Sequence, residues 1–337
     1  MIKPYLLAQV WGMLDHAPLT TCATPDCMGT SFTFRIRRAE MGVYGSALGD
    51  RFAFKAVIDP IRALEFKDIT LTLAGPNGPK ETTIKQPVGA TTLLQDLFLS
   101  YSFEYADITA GQFRIPVSWE SYNSSAKTLL PERALVVRQF SDKRDIGLRV
   151  SKTFKRFSYG LFLLNGAGQN TLDFNVQKDM ALRLEAYPID GMMIGLLAYS
   201  SVTDRGMAGT KDRWEGDLRF ERAGFIGQAE FIRGRDKTSK GWVDSYGLYA
   251  AVGYTYRERV QAVIRYGHYD PSLGRESGAI CATSLSAASA CEANVYEVGV
   301  NAFILGNELK VQASYSLFGW TNVPDQHQVI VATQLAL

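Results

Sequence analysis

The sequence predicts an all-β fold, a transmembrane antiparallel β-barrel of about sixteen strands. Three observations predict it. Apolar and polar residues alternate with a period of two over long segments, the chain reversals are alternately short and long, and aromatic residues gather near the ends of the segments. Under this interpretation residues 1–337 form a single barrel domain.

The overall composition resembles that of a soluble protein. Hydrophobic residues make up 46% and charged residues 21% of the 337 residues, while aromatic residues reach 12%. No apolar run approaches the ~18 to 20 residues that a membrane helix needs, so the sequence excludes a helical membrane protein. A net charge of +2 gives no reason to expect nucleic acid as a partner.

The alternating segments indicate the strands. Residues 213–221 place Trp214, Leu218 and Phe220 on one face and charged residues on the other, a sorting that is typical of a strand. The same period runs through residues 309–317. Runs of ten residues or more exceed the ~5 to 6 residues of most strands in soluble sandwiches.

The reversals between these segments fall into two classes that alternate along the chain. Short reversals are predicted near Gly49-Asp50, Ala106-Asp107, Lys155-Arg156, Asp190-Gly191, Ala223-Gly224, Arg257-Glu258 and Gly306-Asn307. Long polar connections are predicted at roughly 15–30, 63–91, 116–143, 167–176, 203–211, 235–242, 270–292 and 319–326. Short periplasmic turns and long extracellular loops are typical of an outer-membrane barrel.

Aromatic residues provide an independent test, because such barrels carry aromatic girdles at both membrane interfaces. Phe103 and Tyr254 are among those next to short turns. Trp11, Phe32, Tyr199, Trp214, Trp242, Tyr266, Phe318 and Trp320 lie next to the long loops. A general preference of aromatic residues for strands would explain their number but not this two-ended placement.

The four cysteines lie in two of the predicted extracellular loops. Cys22 and Cys27 share the first long loop, and Cys281 and Cys291 share the seventh. Each pair can close locally, so we expect two disulfides on an oxidising face. A zinc site is disfavoured, because His16 is the only histidine near either pair.

The sequence gives no sign of an enzyme. Its only histidines are His16, His268 and His327, and no phosphate-binding loop or nucleophile motif occurs. Carboxylates such as Glu215 and Asp217 are spaced as residues that line a barrel wall, which favours a solvated lumen over an acid–base pair. We therefore expect no cofactor, metal or catalytic residue. The chain starts as a first strand, without a visible signal peptide, and we expect a bacterial outer-membrane location.

The third long connection, residues 116–143, is too apolar for a fully exposed loop. Folding inward across the lumen would bury its leucines and valines and narrow the pore. Lys127, Glu132, Arg133 and Arg138 would then stand at the constriction, where low-dielectric walls focus fields on ions. The alternative is a loop packed on the outer rim or on a neighbouring subunit.

Four segments resemble, in the same order, the phosphate-selective porin O/P family: residues 34–40, 111–116, 124–133 and 144–148. The similarity is clearest over residues 32 to 166. It implies a trimeric, sixteen-stranded outer-membrane porin whose third loop folds inward and whose arginines and lysines draw anions through.

The predicted lumen carries both signs of charge. Basic residues concentrate between Arg35 and Arg149, whereas acidic residues dominate later, so the field across the pore would be transverse. The residues predicted to line the pore or its constriction are Arg35, Arg37, Lys55, Arg114, Lys127, Glu132, Arg133, Arg138 and Arg149.

Two functions remain open at this point. The first is a porin for passive diffusion of small hydrophilic solutes and ions such as phosphate, with an anion bias. Its expected partners are outer-membrane lipid, lipopolysaccharide and two further copies of the chain. The second is a structural barrel that anchors partner proteins at the cell surface through disulfide-stapled loops, since rigid loops lose less entropy on binding.

Overall fold

Sixteen antiparallel strands close into a barrel in the computed structural model. The structure describes residues 1–18, 28–64, 66–75, 78–87, 93–141, 143–173, 176–201, 209–238, 241–273, 291–321 and 323–337. The predicted fold class is confirmed. No helix in these ranges combines the length and the hydropathy needed to cross a membrane.

The strands are numbered in chain order. They are β1 (Ile2–Pro18), β2 (Met28–Ala47), β3 (Phe52–Ile58), β4 (Phe66–Gly75), β5 (Gly78–Pro87), β6 (Leu94–Ser102), β7 (Asp107–Arg114), β8 (Arg144–Thr153), β9 (Phe157–Leu164), β10 (Asp179–Ala186), β11 (Met192–Ser201), β12 (Lys211–Arg222), β13 (Phe225–Thr238), β14 (Gly241–Tyr256), β15 (Val260–Asp270), β16 (Ala293–Leu305), β17 (Leu309–Trp320) and β18 (Gln326–Ala336). Two short α-helices, α1 (Trp119–Tyr122) and α2 (Leu135–Phe140), lie between β7 and β8.

Strands that follow one another in the chain are neighbours in the barrel, except that β3 pairs with β6. The intervening β4 and β5 form a separate hairpin within the connection predicted at 63–91. The barrel closes where β1 pairs with β18, from Leu7 opposite Ala336 to His16 opposite His327. Closure leaves no open sheet edge, as hydrocarbon around the wall demands.

Short turns connect the barrel strands at the seven predicted positions. The turn between β12 and β13 shows the local cause. Ala223 and Gly224 have φ angles of 52° and 82°, and a two-residue hairpin of type I′ requires left-handed backbone at both of these positions.

The sixth long connection is much shorter than the sequence predicts. A polar loop is predicted at 235–242, but β13 continues to Thr238 and β14 begins at Gly241. Polar residues occupy both faces of these strand ends, so the period-two contrast between apolar and polar residues disappears although the strands continue. On the inner face, for example, Asp236 forms an ion pair with Arg213 at 2.7 Å.

The two faces of the barrel differ as the alternation predicts. On β11, Leu196 is 61% exposed on the outer face, whereas the next residue, Leu197, is 4% exposed on the inner face. On β12, Trp214 and Leu218 point outward, and Glu215 between them is buried inside. Apolar side chains therefore cover the outside, and polar side chains line much of the inside.

Four aromatic residues predicted for the outer girdle face inward instead, among them Trp320, which is partly buried against the inner apolar cluster. Trp11, Tyr199 and Phe318 are buried, and the hydroxyl of Tyr199 donates a hydrogen bond to Asp179. Trp214, by contrast, is exposed on the outside. A position near a strand end places a side chain at the level of the membrane interface. Whether it faces lipid or lumen depends on the alternation of side chains along the strand.

One of the four cysteines lies within the described residues. Cys291 is buried and disulfide-bonded. Cys22, Cys27 and Cys281 lie outside the described residues, so the two predicted pairings remain predictions.

The outward position of Leu196 in the middle of β11 generates a stability prediction. Leu196→Arg should destabilise the barrel by about 2 to 4 kcal/mol, because it places a charge in hydrocarbon near the bilayer midplane. Leu305→Arg, at the end of β16, is the matched control and should cost only about 0 to 1 kcal/mol. Urea unfolding in phospholipid bilayers measures both, and equal costs would contradict the assignment of the outer face.

Candidate pore constriction

Residues 115–141, here named the inner segment, run through the interior of the barrel. The segment begins after β7, forms α1, a 3-10 turn at Ser125–Lys127 and α2, and leads towards β8. Its backbone receives hydrogen bonds from Gln9 on β1 and from Asn301 on β16, and it donates them to Glu215 on β12. Only the lumen lies within reach of these three strands at once.

Apolar side chains of the inner segment bury themselves against one side of the wall. Val136, Val137 and Phe140 of α2 belong to a buried cluster with wall residues such as Ile232 and Tyr249. A second cluster joins Leu129 and Leu130 to Ile226, Ala251 and Val263. This burial supplies the cover that the apolar sequence requires.

Glycines of the wall make room for these side chains. A methyl group added at Gly234 would lie 2.5 Å from Phe140, and one added at Gly247 would lie 2.6 Å from Val136. A methyl group at Gly299 would overlap Leu130. The inner segment thus fits into inward-facing gaps in β13, β14 and β16.

Carboxylates of the wall capture the start of α1. Glu215 accepts hydrogen bonds from the backbone N–H groups of Ser118 and Trp119 at 2.7 and 3.1 Å. Glu230 accepts the N–H of Glu120 at 2.8 Å. The first N–H groups of a helix have no partner within the helix, so these acidic side chains supply the missing acceptors.

The side chain of Glu120 connects α1, α2 and the wall. It accepts the N–H of Ala134 at 3.0 Å and a hydrogen bond from Arg265 at 3.4 Å. Burial raises the pKa of Glu120, and the charge of Arg265 only partly offsets this rise. Arg265 also pairs with Glu297 and donates to the carbonyl of Glu132 at 2.9 Å.

Side chains of β16, β17 and β18 hold the middle of the inner segment by its carbonyl groups. Asn301 donates to the carbonyl of Leu129 at 2.8 Å, and Lys310 donates to that of Thr128 at 3.2 Å. Gln334 in turn donates to the carbonyl of Ala126 at 3.1 Å. Buried carbonyl groups need such partners, and the side chains of the wall supply them.

On the other side, Glu132 of the inner segment pairs with Arg37 of β2. The two hydrogen bonds measure 3.1 and 3.3 Å. Burial opposes ionisation of Glu132, but the charges of Arg37, Arg138 and Arg38 outweigh it and hold the pKa at about 2. The guanidinium groups of Arg35 and Arg37 both lie over the ring of Trp11, at 5.5 and 5.4 Å.

A β-bulge brings an additional arginine inside. The register between β1 and β2 shifts at Gln9/Val10, which leaves Arg37 as an extra residue on β2. Strict alternation would place Arg38 outside, yet it is buried and donates to Gln9 at 2.7 Å. Arg38 is not among the pore residues predicted from the sequence, because a bulge shifts the period-two alternation at a position that the sequence does not reveal.

A cavity of about 270 Å³ remains between the inner segment and the wall formed by β1, β3, β6, β7 and β8. We call it the aromatic-basic cavity. It is lined by Tyr5, Lys55, Asp96, Phe98, Phe113, Arg114, Tyr122, Ser124 and Arg149. Three of the predicted pore residues, Lys55, Arg114 and Arg149, therefore meet at one place.

The other predicted site residues are distributed above and below this cavity. Arg35 and Arg138 are exposed, and Lys127 lines a second cavity of about 630 Å³ next to the short turns. Arg133 differs from the expectation. It is 2% exposed and donates to the carbonyl of Asn123 and the hydroxyl of Ser125 at 3.3 and 2.9 Å, so it braces the inner segment from within.

Three acidic residues on the far wall share one arginine. Arg183 contacts Glu185, Glu215 and Asp217 at 2.8, 3.2 and 2.9 Å. Within the described ranges, no three His, Cys, Asp or Glu side chains form a group that could hold a metal ion.

Residues 27–192 match the family described as phosphate-selective porin O and P. The match covers just under half of the chain. The resemblance predicted from four sequence segments is thereby confirmed, and the matched family and the barrel fold support a channel. No curated protein matches the sequence.

Solved structures show the same barrel. An anion-selective porin from Comamonas acidovorans has 10% identity and a TM-score of 0.64, with 100% of this chain and 99% of that one covered. OmpF of Salmonella typhi, in complex with daunomycin, has 12% identity, a TM-score of 0.65 and coverage of 100% and 97%. The trimer form of OmpT from Vibrio cholerae has 9% identity, a TM-score of 0.62 and coverage of 100% and 99%. At these identities the likeness concerns the fold, and it gives no support to the anchoring alternative.

The fit of the inner segment into wall glycines generates a second prediction. Gly247→Ala should displace Val136, destabilise the porin by about 1 to 3 kcal/mol through overpacking and increase the noise of single-channel currents. Gly216→Ala is the matched control, because its added methyl would meet only Leu196 at 3.9 Å. Unfolding titrations and bilayer recordings compare the two variants. Identical behaviour would show that α2 does not depend on this gap.

Proposed function

We propose that this porin lets small hydrophilic solutes and ions diffuse passively across the outer membrane, with a bias for anions. The observation that carries the bias is the division of charge inside the barrel. Wall carboxylates are bound to the inner segment or to arginines, whereas basic side chains line the cavity that remains.

The wall carboxylates have little charge left to offer to a passing ion. Glu215 accepts two backbone N–H groups and an ion pair from Arg183. Glu230 accepts a backbone N–H and the hydroxyl of Tyr249, at 2.7 Å. Both are buried beneath the inner segment, which separates them from the open part of the lumen.

Arg149 shows the opposite situation. Its guanidinium donates to the hydroxyls of Tyr122 and Thr109 at 2.9 and 3.1 Å, and both partners are neutral. Lys55 pairs with Asp96, but its side chain is 26% exposed and that of Asp96 only 6%. An ion in the aromatic-basic cavity therefore meets mainly positive charge, and low-dielectric walls strengthen the effect.

The solute class of the proposal is small anions, with phosphate among them. The description of the matched family supports it, as does the anion-selective porin with the same fold. Mixed charge along the lumen supports a bias rather than strict selection for one ion.

The proposal includes a homotrimer in contact with outer-membrane lipid and lipopolysaccharide. A neighbour of the same fold exists in a trimer form. On the outer face, Arg235 and Lys237 lie over the ring of Trp242 at 4.9 and 5.5 Å, where their charges suit the phosphates of lipopolysaccharide. Light scattering of the detergent-solubilised porin should give the mass of three chains, and the mass of one chain would contradict the trimer.

Arg149 generates the prediction that tests the anion bias. Arg149→Glu should shift the reversal potential in a potassium chloride gradient towards cations, with the chloride-to-potassium permeability ratio falling by roughly a factor of two or more. Arg149→Gln should shift it in the same direction by less. Planar-bilayer recordings measure both.

The control is Arg233→Glu, because Arg233 lies on the outer face with a side chain 53% exposed. It should leave the reversal potential unchanged. An unchanged potential in the Arg149 variants would remove this residue from the pore, and folded protein without ion-permeable steps would contradict the channel itself.

A further inference from the structure

We propose that the aromatic-basic cavity binds a small planar organic anion, an arene carboxylate, in preference to inorganic phosphate. The inference rests on the proposed anion-biased pore and names the substrate class of its aromatic-basic cavity. It is argued from the charge, the donor geometry and the ring content of the cavity.

The cavity has a surplus of positive charge. Lys55, Arg114 and Arg149 line it with one carboxylate, Asp96, and a second carboxylate, that of buried Glu40, lies behind Tyr5 and accepts its hydroxyl at 2.9 Å. The two oxygens of Asp96 are shared between Lys55, at 2.8 Å, and Arg144, at 2.7 Å. A bound monoanion would therefore reduce a local excess of cations.

Arg149 presents a donor suited to a carboxylate. Its guanidinium is held at a fixed orientation by Tyr122 and Thr109, and it lies 5.4 and 5.9 Å from the ring centroids of Phe113 and Phe98. A planar guanidinium fork stacked on rings matches the plane of a carboxylate better than a flexible ammonium would.

Four of the nine lining residues are aromatic: Tyr5, Phe98, Phe113 and Tyr122. A hydrated inorganic ion gains nothing from ring surfaces and must give up water to approach them. An arene ring gains from the same surfaces by apolar burial and by edge or offset contacts. At about 270 Å³, the cavity is slightly smaller than the ~300 Å³ at which sites for drug-sized ligands begin, so it suits a single ring.

The test measures block of the chloride current through the full-length porin in planar bilayers. Benzoate, acetate, cyclohexanecarboxylate and inorganic phosphate are titrated separately at constant ionic strength. Benzoate should block saturably at a concentration roughly fivefold or more below that of acetate or phosphate, because ring contacts add to the shared charge attraction. Cyclohexanecarboxylate should fall between benzoate and acetate, since it has the bulk but not the planarity.

Two variants probe the two halves of the site. Phe98→Leu removes a ring and keeps apolar bulk, and Arg149→Lys keeps the charge and removes the planar fork. Each should reduce the preference for benzoate over acetate to about twofold or less. Phe231→Leu and Arg233→Lys make the same changes on the outer face and should leave the preference intact. Chloride conductance shows that every variant is folded and open.

Each outcome decides one point. Equal block by benzoate and acetate, stronger block by phosphate, or a preference that survives both cavity variants would overturn the arene-carboxylate site. Equal block by benzoate and cyclohexanecarboxylate would overturn the requirement for planarity. In these cases an anion-biased reversal potential would leave the proposed function standing, whereas loss of that bias in the wild type would overturn the proposed function itself.

Discussion

The structure depends on the closed ladder of backbone hydrogen bonds around the barrel. Hydrocarbon offers no partner to an unpaired N–H or C=O group, so β1 must find β18 at the far end of the chain. Sixteen strands enclose more space than the wall's own side chains can fill. Closure therefore leaves space inside the barrel, and residues 115–141 occupy part of it.

The way in which the inner segment is held decides the charge of the lumen. A short helix brings unpaired N–H groups, and Glu215 and Glu230 satisfy them. Apolar side chains that follow α1 in the inner segment pack into the gaps at Gly247 and Gly299 and thereby cover the same wall. Fixing the segment therefore hides the acidic wall and leaves the basic one beside open space. The opposite wall retains Arg149, whose guanidinium donates to the hydroxyls of Tyr122 and Thr109.

The sequence predicts the barrel, its strand number and its seven short turns, because lipid imposes a period of two and turn residues such as Gly224 impose the reversals. It also singles out the segment that needs cover. It does not reveal which contacts provide that cover, since Gly247 is an ordinary strand glycine until Val136 is placed against it. The inward positions of Trp11 and Arg38 escaped prediction for a related reason. Which residues of a strand face inward depends on where the alternation starts, and a β-bulge shifts that alternation by one residue.

A net charge of +2 is compatible with an anion-biased pore because selectivity depends on where charges lie. Arg183 and its three acidic partners form a buried network that also holds the start of α1 through Glu215. Such networks add little net stability, but removing one member leaves a buried charge without compensation. They hold wall geometry rather than attract ions. Only charges that are both accessible and incompletely offset act on a solute, and one group of them lines the cavity between Lys55 and Arg149.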